Sequence, residues 1–243
     1  MDSQRIRFSE GLPPATKNII IINLIMWVAC IVFQKAESSV DLVRVLGLNY
    51  FQADGFYPFQ LVSYMFLHST FGIYGGLDFG HIFFNMFAVY MFGRMLEGLW
   101  GSKQFLIFYF VTGIGAGLIQ LLVMYIYVHT LVGGLPVAIN ETQLLGLYNS
   151  LPTTIGASGA VYGILLAFGM IFPNAPLYMM FIPVPIKAKY IVIGMGLIAL
   201  TMGISNRAGD NVAHFAHLGG MLFGIILILY WKKKGKMYGK YIE

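Results

Sequence analysis

Five polar residues interrupt apolar runs of this sequence in positions where they could do chemistry: Ser158, His217, His81, Asn85 and His214. Ser158 stands in Gly156-Ala157-Ser158-Gly159-Ala160 at the start of an apolar stretch. A helix beginning there leaves its first N–H groups free, and these, with the positive end of the macrodipole, can stabilise an oxyanion developing beside the serine. The motif resembles the Gly-x-Ser-x-Gly elbow of soluble hydrolases, but the fourth position is already Gly159 and no strand precedes it, so the elbow reading fails. His217 supplies an imidazole, whose ordinary pKa of about 6.5 suits a general base for a serine. His81 and Asn85 are four residues apart, hence on one helix face, and both can donate hydrogen bonds to an oxyanion.

Each feature also has a plainer reading. Gly159/Gly163 and Gly220/Gly224 are small-xxx-small pairs that let membrane helices approach closely, and serine is a common guest in such contacts. Taken alone, the serine motif favours packing, and His81 with Asn85 would serve as well to tie a loop to a helix end. His217 changes the balance, because an ionisable group in a bilayer is costly and functional by default. If the two glycine pairs pack their helices together, Ser158 and His217 become neighbours, and packing and catalysis support each other. A metal held by His81, His214 and His217 is disfavoured: no Glu stands in a His-Glu-x-x-His arrangement, and the outer acids lie mostly in loops. Neither a metal nor another cofactor is expected.

The elements that must position these groups follow from hydropathy. A hydrocarbon core about 30 Å thick needs roughly 20 helical residues, with every backbone group bonded internally. Six apolar runs are read as spans: 17–35, 80–96, 104–127, 158–172, 189–207 and 211–231. The first is a retained span rather than a signal peptide, being too long for a secretory apolar region and lacking a small-residue cleavage site. The fourth is cut short by Pro173 and Pro176. Two long connections, 35–79 and 128–157, are too apolar for free linkers and belong at the interface with their aromatics among the headgroups.

Six spans place both termini on one side. That side carries Arg5, Arg7, Lys17, Arg94, Lys103, Lys187, Lys189, Lys232, Lys233, Lys234, Lys236 and Lys240, against Lys35, Arg44 and Arg207 on the other. Positive charge marks the cytoplasmic side, so both termini are expected there, and an anionic leaflet would attract the lysine-rich C-terminal tail. The second, fourth and sixth spans then run inward. At about 1.5 Å per residue, all five polar residues fall in the outer half of the bilayer, at most roughly 10 Å below its boundary. The expected organisation is a cytoplasmic tail over 1–17, a six-helix domain over 18–231 and a basic cytoplasmic tail over 232–243.

Composition agrees. Of 243 residues, 58% are hydrophobic and 10% charged, with a mean hydropathy of +0.75. A soluble domain carries about a quarter charged residues, which excludes an ordinary soluble enzyme or a disordered chain and leaves one polytopic all-α membrane domain. The net charge of +5 records topology, and no nucleic-acid partner is expected. The single cysteine, Cys30, cannot form an internal disulfide.

In this order the residues resemble the rhomboid family of intramembrane serine proteases. The resemblance rests on Phe66-Leu67-His68, Gly80-His81-Ile82-Phe83-Phe84-Asn85, Gly93-Arg94-Met95-Leu96-Glu97, Gly101, Gly156-Ala157-Ser158-Gly159-Ala160-Val161-Tyr162-Gly163 and Ala216-His217-Leu218-Gly219-Gly220. It implies a six-helix rhomboid bundle with a Ser158–His217 dyad and no third, acidic member. It also implies an oxyanion hole made by the Ser158 N–H with the side chains of His81 and Asn85. Tyr162, four residues after Ser158, matches a position whose ring packs on the catalytic histidine. His214, Gly156 and Gly159 are supporting residues.

The implied activity is endoproteolysis of membrane-anchored substrates within or near their transmembrane segment, with the site facing the outer side of a membrane, expected to be a bacterial inner membrane. The alternative is a proteolytically inactive relative that binds client transmembrane proteins. Retention of both the serine and the histidine argues against it. A proton channel relaying through the histidines is opposed by the scarcity of ionisable residues in the inner halves of the spans. Two features depart from compact members: Ser69–Gly80 is longer and Gly-rich, and Phe59-Gln60 stands where those members carry a Trp-Arg pair.

Overall fold

The computed structural model describes residues 11–36, 39–72, 75–135, 139–179, 182–205 and 213–236. In chain order the helices are α1 (Pro14–Lys35), α2 (Leu42–Leu46), α3 (Gln60–Ser63), α4 (Gly80–Ala88), α5 (Arg94–Trp100), α6 (Ser102–Gly133), α7 (Glu141–Ser150), α8 (Ser158–Ile171), α9 (Ala188–Ser205) and α10 (His214–Lys233). A π-helical turn, Val89–Gly93, joins α4 to α5, so that stretch is helical throughout. Among the described residues α1, α6, α9 and α10 are long and apolar enough to cross a bilayer, and α8 is a shorter apolar helix of 14 residues. The chain is a multi-pass integral membrane protein, mostly helical.

Each of the six apolar runs is helical over nearly all of its described length, the helix of the fourth ending at Ile171 and that of the sixth beginning at His214. α6 continues past the expected end at 127 because no breaker intervenes before Gly133-Gly134. The sixth run is described only from residue 213. Its expected start at 211, Arg207, and the tail residues Arg5, Arg7 and Lys240 lie outside the described residues. The all-α expectation needs one addition, a two-stranded antiparallel hairpin of β1 (Pro176–Met179) and β2 (Ile182–Lys187) between α8 and α9. Pro176, Pro183 and Pro185 exclude a helix there, while Ile182, Val184 and Ile186 supply β-branched residues at alternate positions. The two long connections are also more ordered than hydropathy indicated: α2, α3 and a 3-10 turn, Tyr64–Phe66, build the first, and α7 builds part of the second.

Helices α6, α8 and α10 form the centre, and glycines set their spacing. A Cβ on Gly220 of α10 would fall inside the carbonyl of Gly159 in α8, and one on Gly163 would meet Thr112 of α6 at 2.7 Å. Gly219 faces Ile119 of α6 in the same way, at 2.8 Å. Such backbone contact forfeits side-chain volume but gains van der Waals packing where lipid supplies no hydrophobic drive. At the end away from Ser158, Trp100 packs on Phe108 and Trp231 with ring centroids 5.0 and 5.3 Å apart.

That far end is tied by one buried carboxylate. Glu97 of α5 accepts from the N–H groups of Ala15 and Thr16 at 2.9 and 2.7 Å, from the Thr16 hydroxyl at 2.7 Å and from the Ser102 hydroxyl at 2.6 Å. It thereby satisfies donors that the first turn of α1 cannot satisfy itself, and joins α1 to the α5–α6 corner.

Two stability predictions follow from these contacts. Glutamine at 97 would turn an NH2 toward donors, so Glu97→Gln should lower the unfolding free energy by about 2–4 kcal/mol, read as a lower Tm in detergent. An unchanged Tm would show that the carboxylate does not hold the corner. Gly220→Ala should cost about 1–3 kcal/mol by overpacking, whereas Gly194→Ala in α9, where a Cβ meets nothing within 4 Å, should leave Tm equal or higher. Equal behaviour of the two variants would contradict the seam.

Candidate active site

Ser158 opens α8, and the segment before it is fastened from two sides. Leu48 and Thr154 exchange backbone hydrogen bonds of 2.9 Å each, and the Gly156 N–H donates to the Tyr64 carbonyl at 2.9 Å. Tyr64 in turn donates its hydroxyl to the Gly113 carbonyl of α6 at 2.7 Å. The serine loop therefore hangs on the first long connection and on a central helix. Gly156 has φ of +126°, a conformation open to glycine. A Cβ there would stand 2.9 Å from His81 Nε2 and 3.5 Å from Ser158 Oγ. The missing side chain leaves a small volume that borders the serine hydroxyl and the His81 ring together.

His217 lies in the first turn of α10, one turn before Gly220, so the contact of Gly220 with Gly159 brings it against α8. Its Nε2 is 2.8 Å from Ser158 Oγ. The imidazole is buried and stacks on the Tyr162 ring, centroids 4.2 Å apart and planes 9° from parallel. Among the described residues its Nδ1 has no hydrogen-bond partner, so no carboxylate orients the ring there. Orientation comes from the stack and from His214, whose ring meets that of His217 edge-on at 6.1 Å.

His81 lies in the first turn of α4. The Ser69 N–H donates to its Nδ1 at 3.2 Å, so the neutral ring carries its proton on Nε2, the atom that faces the volume beside Gly156. Ser69 is itself held, since Trp27 of α1 donates its indole N–H to the Ser69 carbonyl at 2.8 Å and packs on Phe79 at 5.1 Å. Asn85 donates one amide hydrogen to the His81 carbonyl at 2.8 Å, which leaves its second for another acceptor.

Behind His81, the buried ring of His68 stands edge-on at 4.8 Å. Burial, with His81 alongside, pushes the His68 pKa down to about 3, so this loop imidazole is neutral at ordinary pH and adds no charge to the cluster. Among the described residues no group of three His, Cys, Asp or Glu side chains could hold a metal.

Several positioning groups were beyond reach of the sequence. The Ser69 N–H is a backbone donor brought to His81 by tertiary folding, and the volume at Gly156 is the absence of a side chain. Gln60, in the Phe59-Gln60 departure, is buried. It donates to the carbonyls of Val45 and Gly55 at 3.0 and 2.8 Å and accepts from the Asn49 N–H at 3.3 Å. A neutral amide thus satisfies the turns of the first connection, and the tie needs no arginine.

A family model, the Rhomboid domain, matches residues 56–234. RHOMBOID-like protein 12, mitochondrial, of Arabidopsis thaliana is 34% identical over 149 residues, which cover 59% of this chain and 40% of that protein. Rhomboid-like protein 11, chloroplastic, of the same plant is 24% identical over 209 residues, covering 80% of this chain and 66% of the relative. Rhomboid protease AarA of Providencia stuartii is 27% identical over 237 residues, or 92% of this chain and 74% of the relative. The chain thus spans less than two thirds of the two plant relatives. The family match takes in Ser158, His217, His81 and Asn85 and well over half of the sequence, and on that ground the chain belongs to the rhomboid family.

Proposed function

We propose that this protein is an intramembrane serine endopeptidase that cleaves membrane-anchored proteins within or beside a transmembrane segment. The observation that carries the reading is the 2.8 Å approach of His217 Nε2 to Ser158 Oγ at the start of a membrane helix. In the proposed reaction Ser158 gives its hydroxyl proton to Nε2 as Oγ bonds to the scissile carbonyl carbon. The oxyanion so formed enters the volume beside Gly156, within reach of the Ser158 N–H, the His81 Nε2–H and the free amide hydrogen of Asn85. The C–N bond then breaks, the leaving amine takes the proton from His217, and the acyl chain remains on Oγ. Water, losing a proton to Nε2, attacks the ester. The carboxylic acid departs and Oγ regains its proton.

The same reading assigns six spans, with 18–231 as the protease domain and both termini cytoplasmic. The runs 80–96 and 158–172 are counted as spans alongside the four long helices. Ser158, His81 and His217 all lie at helix starts on one end of the bundle, where water reaches the site from the outer face. A substrate helix must unwind to present its peptide bond, because the helical ladder shields it. The named relatives come from a bacterium, a mitochondrion and a chloroplast, so likeness to them fits more than one compartment. The bacterial inner membrane is the assignment proposed for this chain.

A fluorophosphonate probe tests the nucleophile. Wild type in detergent or lipid should be labelled and Ser158→Ala should not; equal labelling removes the assignment. Cleavage of a single-span substrate should fall about 10⁶-fold in His217→Ala. It should fall about 10²–10³-fold in kcat in His81→Ala and Asn85→Ala, with KM little changed. A loss confined to KM would make those two residues binding groups.

A further inference from the structure

The β1–β2 hairpin lies at the end of the bundle remote from Ser158, and its two properties are hard to reconcile in either water or hydrocarbon. A lone two-stranded ribbon is marginal in water, and its outer edges present backbone groups that hydrocarbon cannot satisfy. Yet Tyr178 is 73% exposed and Val184 63% exposed. The headgroup zone suits both, being wet enough for backbone edges and favourable to aromatic rings. α9 fits that depth. Its 18 residues span about 27 Å, and Tyr190, Ile193 and Leu197 form an exposed stripe along it, so its first turn meets the hydrocarbon boundary. The Ala188 and Lys189 N–H groups donate to the carbonyls of Ala175 and Pro173 at 2.9 and 3.2 Å, fixing the hairpin to the end of α8.

Charge names the partner. Lys187 closes the ribbon opposite Pro176, and Lys189 holds its ammonium 5.2 Å from the Tyr190 ring centroid. The same end carries Lys17, Arg94, Lys103, Lys232, Lys233, Lys234 and Lys236. Among the described residues its one acid is Glu97, buried against backbone and hydroxyl donors. The opposite end has Lys35 and Arg44 with Asp41, Asp54, Asp78 and Glu141. Among the described residues α9 has the smallest buried share of the four long helices, so of the four it leaves most of its length to what lies outside the protein.

We propose that Lys187 and Lys189, flanked by Tyr178 and Tyr190, bind anionic phospholipid headgroups and anchor the start of α9 in that leaflet. The proposal is independent of proteolysis. Its test is native mass spectrometry of lipids retained when the protein is released from nanodiscs of equal parts phosphatidylcholine and phosphatidylglycerol. A surface lysine changes binding to an anionic leaflet about fivefold, and two change it about thirtyfold. Wild type should retain phosphatidylglycerol preferentially, and K187Q/K189Q should reduce that preference about thirtyfold, with an unchanged Tm. K233Q/K234Q, which removes two charges of the lysine-rich tail without touching the hairpin, should reduce it by a distinctly smaller factor. Tyr178→Ala, which keeps both charges, should weaken it. Three results would overturn the proposal: no preference in wild type, full retention in K187Q/K189Q, or equal losses from the two lysine pairs, which would indicate diffuse charge rather than a site.

Discussion

Backbone meets backbone where Gly220 of α10 faces the carbonyl of Gly159 in α8, with no room for a side chain between them. Everything proposed for this site depends on that approach. Ser158 precedes Gly159 by one residue and His217 precedes Gly220 by three, so the closeness of the helices sets the 2.8 Å separation of Oγ and Nε2. A methyl group at Gly220 would displace the two helices by more than a hydrogen bond tolerates, and one at Gly159 would instead press α8 against Ala116 of α6. The glycines act on the chemistry through geometry, while the groups that react sit next to them in sequence.

Stacking, backbone donors and amides orient the groups described around the dyad, where a buried ion pair would be expensive to desolvate. Stacking on Tyr162 fixes the plane of His217. A backbone donor, the Ser69 N–H, selects the tautomer of His81. Asn85 spends one amide hydrogen on its own helix and keeps the other. At the far end Glu97 does the opposite kind of work, gathering backbone and hydroxyl donors that would otherwise be unsatisfied. The two ends thus differ in purpose, one leaving hydrogen-bonding capacity open and the other closing it.

Much of this was legible in the sequence because membranes simplify the code. Long apolar runs gave the helices, and the paired glycines pointed to the contact of α8 with α10. The i, i+4 spacing put His81 and Asn85 on one face. What the sequence could not reveal depends on contacts between residues far apart in the chain. The Ser69 N–H meets His81 only because Trp27 of α1 holds that loop, and Leu48 pairs with Thr154 across more than a hundred residues. Gln60 reads as an ordinary polar residue until the turns around it supply carbonyls. The β1–β2 hairpin escaped because Pro173 and Pro176 read only as a helix stop, while the alternation of Ile182, Val184 and Ile186 with Pro183 and Pro185 is too short a strand signal inside an apolar chain.

The most direct test of the central claim is the structure of the protein after reaction with a fluorophosphonate. A tetrahedral phosphorus bonded to Ser158 Oγ mimics the proposed intermediate. The account predicts its negatively charged oxygen in the volume beside Gly156, about 2.7–3.1 Å from the Ser158 N–H nitrogen and His81 Nε2 and facing Asn85, with His217 still stacked on Tyr162. An adduct whose oxygen points away from His81, or one formed on another residue while Ser158 stays free, would contradict it.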